Sequence, residues 1–332
     1  MDTHSQTTPH TPRRLRVNTS LSAVTSSPIS ASSATSAVSS VTSPIDLSSA
    51  VKICKDHVDV SDGVLGRGAF CTVYRGIING SPELAGRVVA VKMGIKSNLC
   101  TVREASLLTN LDRMRGRDGD GDNVVEFYGM LADGSLALRY YPHTVHSFVL
   151  PLRQEDVWEL VVGKDLWLKW AHQLSGALRF LERANVVHGD IQSVNIFVDE
   201  DANVFLGDFS SAHYNDDLLA TSHEPEVDYD FWNARNIQYS APELLKTTNC
   251  IPSFRSDVFS TGLVLLFAGT GTDPYHTAKN GAQRLIWAQR GMVLECASDE
   301  DRIRISSVQS IVDSFIRHRT PLSSLTSNIS SH

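Results

Sequence analysis

Apolar residues follow strand and helix spacings in turn from about residue 58 onward. Alternation with a period of two is typical of strands, and apolar positions three or four apart are typical of helices. The first half of the chain therefore contains two predicted strands joined by a glycine turn, a short strand, a helix and a hairpin. These elements cover residues 64–74, 88–92, 101–111, and 124–131 with 135–141.

The second half of the chain is predicted to be mainly helical. A helix over residues 166–183 has an apolar face formed by Trp167, Trp170, Ala171, Leu174, Leu178 and Leu181. Two short strands are predicted at residues 196–198 and 204–206. Further helices are predicted over residues 282–290 and 306–316, with none between them.

Residues 1–50 have a different composition, because Ser and Thr dominate, four prolines interrupt them and aromatic residues are almost absent. Such a segment cannot bury enough apolar surface to offset the entropy lost on ordering. We predict a disordered tail over residues 1–55. Arg13, Arg14 and Arg16 also suggest a mitochondrial leader, although they do not recur on one helical face.

Composition narrows the functional classes. The 332 residues are 42% hydrophobic and can form one large domain or two lobes. A net charge of −7 argues against nucleic acid and membrane surfaces as partners. Five scattered cysteines without CxxC spacing indicate a reducing compartment. The longest apolar run, residues 263–269, is too short to span a bilayer. We therefore expect a cytoplasmic protein, with the nucleus as an alternative location. The sequence leaves the oligomeric state open.

The chemistry is concentrated in the sequence His-Gly-Asp-Ile-Gln-Ser-Val-Asn at residues 188–195. Asp190 and Asn195 are five positions apart, and Asp208 follows Asn195 by thirteen. Phosphoryl transfer needs one carboxylate to orient a hydroxyl, and an amide and a second carboxylate to hold Mg²⁺ against the phosphates of ATP. The spacing therefore predicts a phosphotransferase.

Two features upstream fit nucleotide binding. Gly66 and Gly68 let the backbone approach phosphates, although a GxG turn alone is more often part of an ordinary hairpin. Lys92 lies in a short apolar strand, and Glu104 can face it from the following helix. This pair would hold a cation over the α and β phosphates.

These motifs, in this order, resemble those of the eukaryotic protein kinase family, on its serine/threonine side, with atypical HGDIQSVN and DFS sequences. The tripeptide at residues 241–243 and the segment 257–262 extend the resemblance over roughly residues 60–317. It implies an α+β fold of two lobes within a kinase domain at residues 56–320. The small β-rich N-lobe would cover about 56–141 and the larger helical C-lobe about 142–320, with a short polar tail at 321–332.

The resemblance also implies a role for each matching residue. ATP and Mg²⁺ would be the cofactors and a protein the substrate. The catalytic residues would be Asp190, Lys92, Glu104 and Asn195, and the metal ligands Asn195 and Asp208. The nucleotide would contact the glycine-rich strands, the lysine strand and the hinge, at Leu65, Gly66, Gly68, Val73, Ala90, Lys92, Leu138, Tyr140 and Tyr141.

Five positions depart from the family pattern. Gly189 stands where many kinases have Arg, so control by a phosphorylated activation loop is not expected. Gln192 replaces the usual Lys and cannot neutralise a phosphate, which predicts a slower enzyme. Ser210 replaces the last glycine of DFG, Cys71 the third glycine of the loop, and Asn236 a Thr near the acceptor.

Two alternatives to an active protein kinase stay open: a pseudokinase scaffold that binds ATP weakly, and a small-molecule phosphotransferase. The segments 241–243 and 257–262 argue against the second, because they serve a protein-substrate platform. Tyr239, two residues before Ala241, favours a serine/threonine acceptor. Arg304, with Arg302 as a substitute, is expected to pair with Glu243.

Overall fold

The computed structural model shows an antiparallel sheet with one helix, followed by a mainly helical region. The residues it describes, to which all structural statements below refer, are 51–68, 70–80, 82–95, 99–116, 123–154, 157–215, 236–246, 250–317 and 329. Within this part of the chain, no helix is both long and apolar enough to cross a membrane. An acidic stretch at residues 216–230 and most of both predicted tails lie outside the described residues.

Five strands form the N-terminal sheet in the order β1-β2-β3-β5-β4. Alternating β-branched residues account for β3, in which Val89 and Val91 are fully buried. Helix α1 connects β3 to β4. The strands are β1 (His57–Arg67), β2 (Cys71–Asn79), β3 (Val88–Gly94), β4 (Phe127–Met130) and β5 (Leu136–Arg139), and the helix is α1 (Leu99–Met114).

Helices α3 and α4 form the centre of the C-terminal region. All six predicted apolar residues of α3 are buried, which confirms its apolar face. One small sheet has the strand order β6-β8-β9, and a second pairs β7 with β10. The elements are β6 (His143–Thr144), α2 (Val145–Val149), α3 (Lys164–Arg183), β7 (Val186–Val187), β8 (Ile196–Val198), β9 (Val204–Leu206), β10 (His213–Tyr214), α4 (Phe254–Thr270), α5 (Gly281–Arg290), α6 (Asp299–Arg304) and α7 (Gln309–Ile316).

Helix α4 is buried along almost its whole length, from Ser256 to Thr270. It begins with a capping box in which Ser253 and Ser256 each accept the other's backbone N–H. It ends at Gly271, whose φ of 68° lies in the left-handed region. A helix that is apolar all round must be enclosed by other elements, so α4 is the support on which the C-terminal region packs.

Two predictions require correction. Residues 51–55 are ordered: Cys54 N–H donates to the Met130 carbonyl at 3.0 Å, and Lys52 Nζ lies 2.8 Å from Asp112. The region between the last two predicted helices contains α6, because Ser298 caps it and three acidic residues in its first turn complement its dipole.

The expected pair between Arg304 and Glu243 does not form. The Arg304 guanidinium lies 2.7 Å from Glu300, one turn earlier on α6, and donates to the main-chain carbonyls of Gln154 and Glu159. Arg302 donates to the carbonyls of Leu294 and Glu295 instead. Placement on a short helix favours the local partner at i−4 over the distant carboxylate.

We predict opposite effects of the same substitution at two helical glycines. A Cβ at Gly262 would lie 2.6 Å from Phe315 Cβ and 2.9 Å from Ile316 Cγ1, because α4 and α7 approach closely there. Gly262→Ala should lower the free energy of unfolding by about 1–3 kcal/mol. Gly176→Ala, in α3, meets no atom within 4 Å and should raise it by about 0.5–1 kcal/mol. Urea unfolding of both variants tests this; equal effects would contradict the close packing of α4 on α7.

Candidate active site

Lys92 lies at the centre of the candidate site and is only 4% exposed. Strand β3 carries it, and its Nζ lies 2.7 Å from Glu104 Oε2 and 2.6 Å from Asp208 Oδ1. Burial by itself would lower the pKa of Lys92, but the carboxylates of Asp208 and Glu104 outweigh it and raise the pKa above its ordinary value. The ammonium therefore stays charged and joins β3, α1 and the segment after β9.

Asp208 follows β9 with φ 58° and ψ 75°, a left-handed conformation that is uncommon for a non-glycine residue. Its carboxylate accepts the N–H of Ser210 at 3.4 Å, while the N–H of Phe209 donates to Glu104 Oε1 at 3.2 Å. Burial would raise the pKa of Asp208, but the charge of the Lys92 ammonium and the hydrogen bonds from Lys92 and Ser210 hold it at about 2. Asp208 is therefore an anion at neutral pH.

The loop that contains Asp190 is attached to the start of α4. The Asp257 carboxylate accepts the N–H groups of His188 at 2.7 Å and Gly189 at 3.0 Å. Gly189 has a φ of 78°, and a Cβ there would lie 3.1 Å from the Ser211 carbonyl oxygen. A side chain at this position would be strained, which is a backbone reason for glycine where many kinases have Arg.

The imidazole of His188 supports the loop from inside. Its Nε2 lies 3.0 Å from the Gly207 carbonyl oxygen and donates to it, while Nδ1 accepts the N–H of Asp190 at 3.3 Å. The ring also packs edge-on against Phe209 at 4.8 Å. Because burial disfavours the charged form, the pKa of His188 falls to about 4. His188 is thus a neutral structural residue.

Side-chain amides surround the carboxylate of Asp190. Gln192 Nε2 lies 3.1 Å and 3.0 Å from its two oxygens, and Asn195 Nδ2 lies 2.9 Å from both Oδ2 and the main-chain oxygen. These contacts use the nitrogen of Asn195 and direct its Oδ1 elsewhere. The structure thus brings the predicted Asp190 and Asn195 together.

The predicted nucleotide contacts occupy neighbouring strands of the N-terminal sheet. Gly66 on β1 pairs with Val73 on β2, and Val73 pairs with Lys92 on β3. Ala90 pairs with Leu138 on β5. A Cβ on Gly66 would meet no described heavy atom within 4 Å. Leu65 is 42% exposed on β1, Gly68 follows β1, and Tyr140 and Tyr141 follow β5.

The family model for protein tyrosine and serine/threonine kinase matches residues 60–329. The chain belongs to this family. Among curated relatives, the chain is 30% identical to the L-type lectin-domain containing receptor kinase VIII.2 of Arabidopsis thaliana over 64% of its length. It is 28% identical to the tyrosine-protein kinase Btk of Drosophila melanogaster over 70% of its length. It is 25% identical to the RAF proto-oncogene serine/threonine-protein kinase of Xenopus laevis over 69% of its length. The aligned regions span 28%, 27% and 33% of these proteins.

An aromatic cluster beside this kinase site was missed by the sequence analysis. The Tyr141 ring stacks on Phe197 at 5.5 Å and an angle of 8°, and contacts Phe205 at 4.8 Å. The Arg139 guanidinium lies 5.0 Å from the centre of the Tyr141 ring. Phe197 and Phe205 are partners in the β8–β9 register, and Gly207 is two residues beyond Phe205. Only that register could have shown that these residues share a face.

We predict that Gly207 and Phe197 are energetically coupled. A Cβ on Gly207 would lie 2.7 Å from Phe197 Cδ2, and moving the ring would break its stacking on Tyr141. Gly207→Ala should destabilise the kinase by about 1–3 kcal/mol. Phe197→Leu in the same chain should recover part of that loss, because the smaller side chain leaves room for the methyl group. A double-mutant cycle from urea unfolding measures the coupling, and strict additivity would disprove it.

The low pKa of His188 predicts a loss of stability in acid. Between its ordinary value of 6.5 and about 4, the unfolded chain binds a proton at this residue that the native state does not. The free energy of unfolding should therefore fall by about 3 kcal/mol as the pH drops through this interval. His188→Phe should reduce the slope by one proton. Titration of the His188 imidazole by ¹⁵N NMR checks this, and an imidazolium at pH 6 would contradict it.

Proposed function

We propose that this chain transfers the γ-phosphate of ATP to Ser and Thr hydroxyls of protein substrates. The observation that carries the proposal is the Lys92 ammonium in contact with both Glu104 and Asp208. Membership of the kinase family supports ATP as donor and a protein as acceptor. Because the relatives include both serine/threonine and tyrosine kinases, the preference for Ser and Thr rests on Tyr239 before the segment 241–243.

The residues present fit Mg²⁺. Asp208 supplies an ionised carboxylate, and Asn195 supplies an amide oxygen whose nitrogen is already bonded to Asp190. Hard cations of this kind prefer such oxygen ligands. When bound, Mg²⁺ neutralises charge that develops on the phosphates.

The other side chains of the site would bind the phosphates and orient the acceptor. Lys92, held by Glu104, would bind the α and β phosphates, and the glycines of β1 would let the backbone approach them. Asp190, fixed by Asn195 and Gln192, would orient the acceptor hydroxyl and accept its proton late in the transfer. Phosphoryl transfer is accelerated by such alignment of the two reactants together with electrostatic stabilisation of the transition state.

One observation favours a second candidate, a pseudokinase scaffold. The contact of Lys92 with Asp208 already balances the carboxylate proposed to bind metal, and Gln192 provides no cation near the acceptor. A nucleotide-binding scaffold needs only the N-terminal sheet and Lys92. We further propose that the protein acts in the cytoplasm, on the basis of its composition alone.

Asp190→Asn should separate catalysis from binding. The variant should lose about 10²–10⁴-fold in turnover, because an amide cannot accept the acceptor's proton, while its affinity for ATP changes less than about twofold. Transfer of label from ATP to casein or myelin basic protein measures turnover, and calorimetry measures affinity.

Phosphoamino-acid analysis of the product identifies the acceptor. Phosphoserine and phosphothreonine are expected, and phosphotyrosine alone would overturn the assignment to Ser and Thr. Equal turnover in Asp190→Asn and wild type would remove Asp190 from the mechanism. ATP binding without any transfer by the wild type would favour the scaffold.

A further inference from the structure

A chain of amide groups connects the segment 236–240 to the carboxylate of Asp190. The N–H of Gln238 donates to Asn236 Oδ1 at 3.0 Å, and Asn236 Nδ2 donates to Gln192 Oε1 at 3.1 Å. Gln192 Nε2 then donates to both carboxylate oxygens of Asp190, at 3.1 Å and 3.0 Å. Each amide therefore receives a hydrogen bond at its oxygen and gives one from its nitrogen.

The direction of this chain is set at its first member. A backbone N–H can only donate, so the atom of Asn236 that it meets must be the oxygen. The nitrogen of Asn236 is then left to face Gln192, which must present its own oxygen in return. The ionised carboxylate of Asp190 can only accept, so both ends of the chain require the same orientation of the two amides.

The segment 236–240 is itself fixed to the buried part of the kinase. The Asn236 carbonyl accepts the N–H of Tyr239 and the hydroxyl of Ser240. Ser260 on α4 donates to the Tyr239 carbonyl at 2.7 Å, and the Tyr239 hydroxyl lies 3.0 Å from Ser193 Oγ in the Asp190 loop. The position of this segment therefore determines where Asn236 meets Gln192, and Gln192 in turn contacts Asp190.

We propose that Asn236 and Gln192 are positioning residues that hold the Asp190 carboxylate in its productive orientation only when the segment 236–240 is folded. They act without a positive charge, since both side chains are neutral amides. The inference rests on the proposed function, because it assigns to Asp190 the orientation of the acceptor. It adds the route by which the segment 236–240 reaches that residue.

We expect the effect of substituting Asn236 on turnover to depend on which residue occupies position 192. Gln192→Met keeps the length of the side chain without its hydrogen bonds, and should lower kcat about 10- to 100-fold with the KM for ATP unchanged. Asn236→Ala should have a smaller effect in the wild type and none in Gln192→Met. In Gln192→Lys, whose ammonium donates to Asp190 without help from Asn236, Asn236→Ala should also have no effect.

Gln173 provides a matched control. Its Nε2 donates to Asn203 Oδ1 at 2.9 Å, and its Oε1 accepts the N–H of Val204 at 3.1 Å, so it forms a similar amide chain away from Asp190. Gln173→Met should cost stability and leave kcat unchanged. If Asn236→Ala lowers kcat equally in the wild type, Gln192→Met and Gln192→Lys, the linked chain is disproved.

An NMR measurement decides the matter independently of transferase activity. The side-chain amide signals of Gln192, identified by their loss in Gln192→Met, should shift in Asn236→Ala and in Asp190→Asn and stay unchanged in Gln173→Met. Unchanged Gln192 signals in Asn236→Ala would overturn the inference. If the wild type transfers no phosphate but the signals shift, the proposed function fails while the amide chain stands.

Discussion

The buried ammonium of Lys92 is the interaction on which the arrangement of the site depends. A charge that is 4% exposed must be offset by opposite charges, and Glu104 and Asp208 supply them from two other parts of the chain. The sheet, α1 and the segment after β9 can therefore move apart only by exposing an unpaired charge. This constraint keeps Asp208 ionised at neutral pH.

A second constraint comes from the buried helix α4. Asp257 accepts two backbone N–H groups of the Asp190 loop, and Ser260 holds Tyr239 in the segment 236–240. The helix thus fixes both the Asp190 loop and the segment 236–240. Helix α4 also packs closely against α7 at Gly262. Because protein interiors are densely packed, we expect a change in the packing of α4 on α7 to shift the Asp190 loop through α4.

Three of the residues that depart from the family pattern contribute to the structure of the Asp190 loop and its contacts. Gly189 supplies a backbone conformation that brings two N–H groups onto one carboxylate. Gln192 and Asn236 form hydrogen bonds at both ends of their amides, so neither is an unsatisfied replacement for a missing cation. The two amides therefore hold the carboxylate of Asp190 with neutral donors in place of a positive charge.

The sequence by itself determined the local elements and the identity of the chemical groups. Periodicity located the strands and the apolar face of α3, and motif order brought Lys92, Glu104, Asp190, Asn195 and Asp208 into one hypothesis. The tertiary structure alone decided which distant groups meet. Arg304 pairs with Glu300 rather than Glu243, the backbone of Lys52 and Cys54 bonds to Met130 of β4, and Asn236 bonds to Gln192 across 44 positions. Spacing reports which side chains share a face, whereas long-range partners depend on how those faces pack in space.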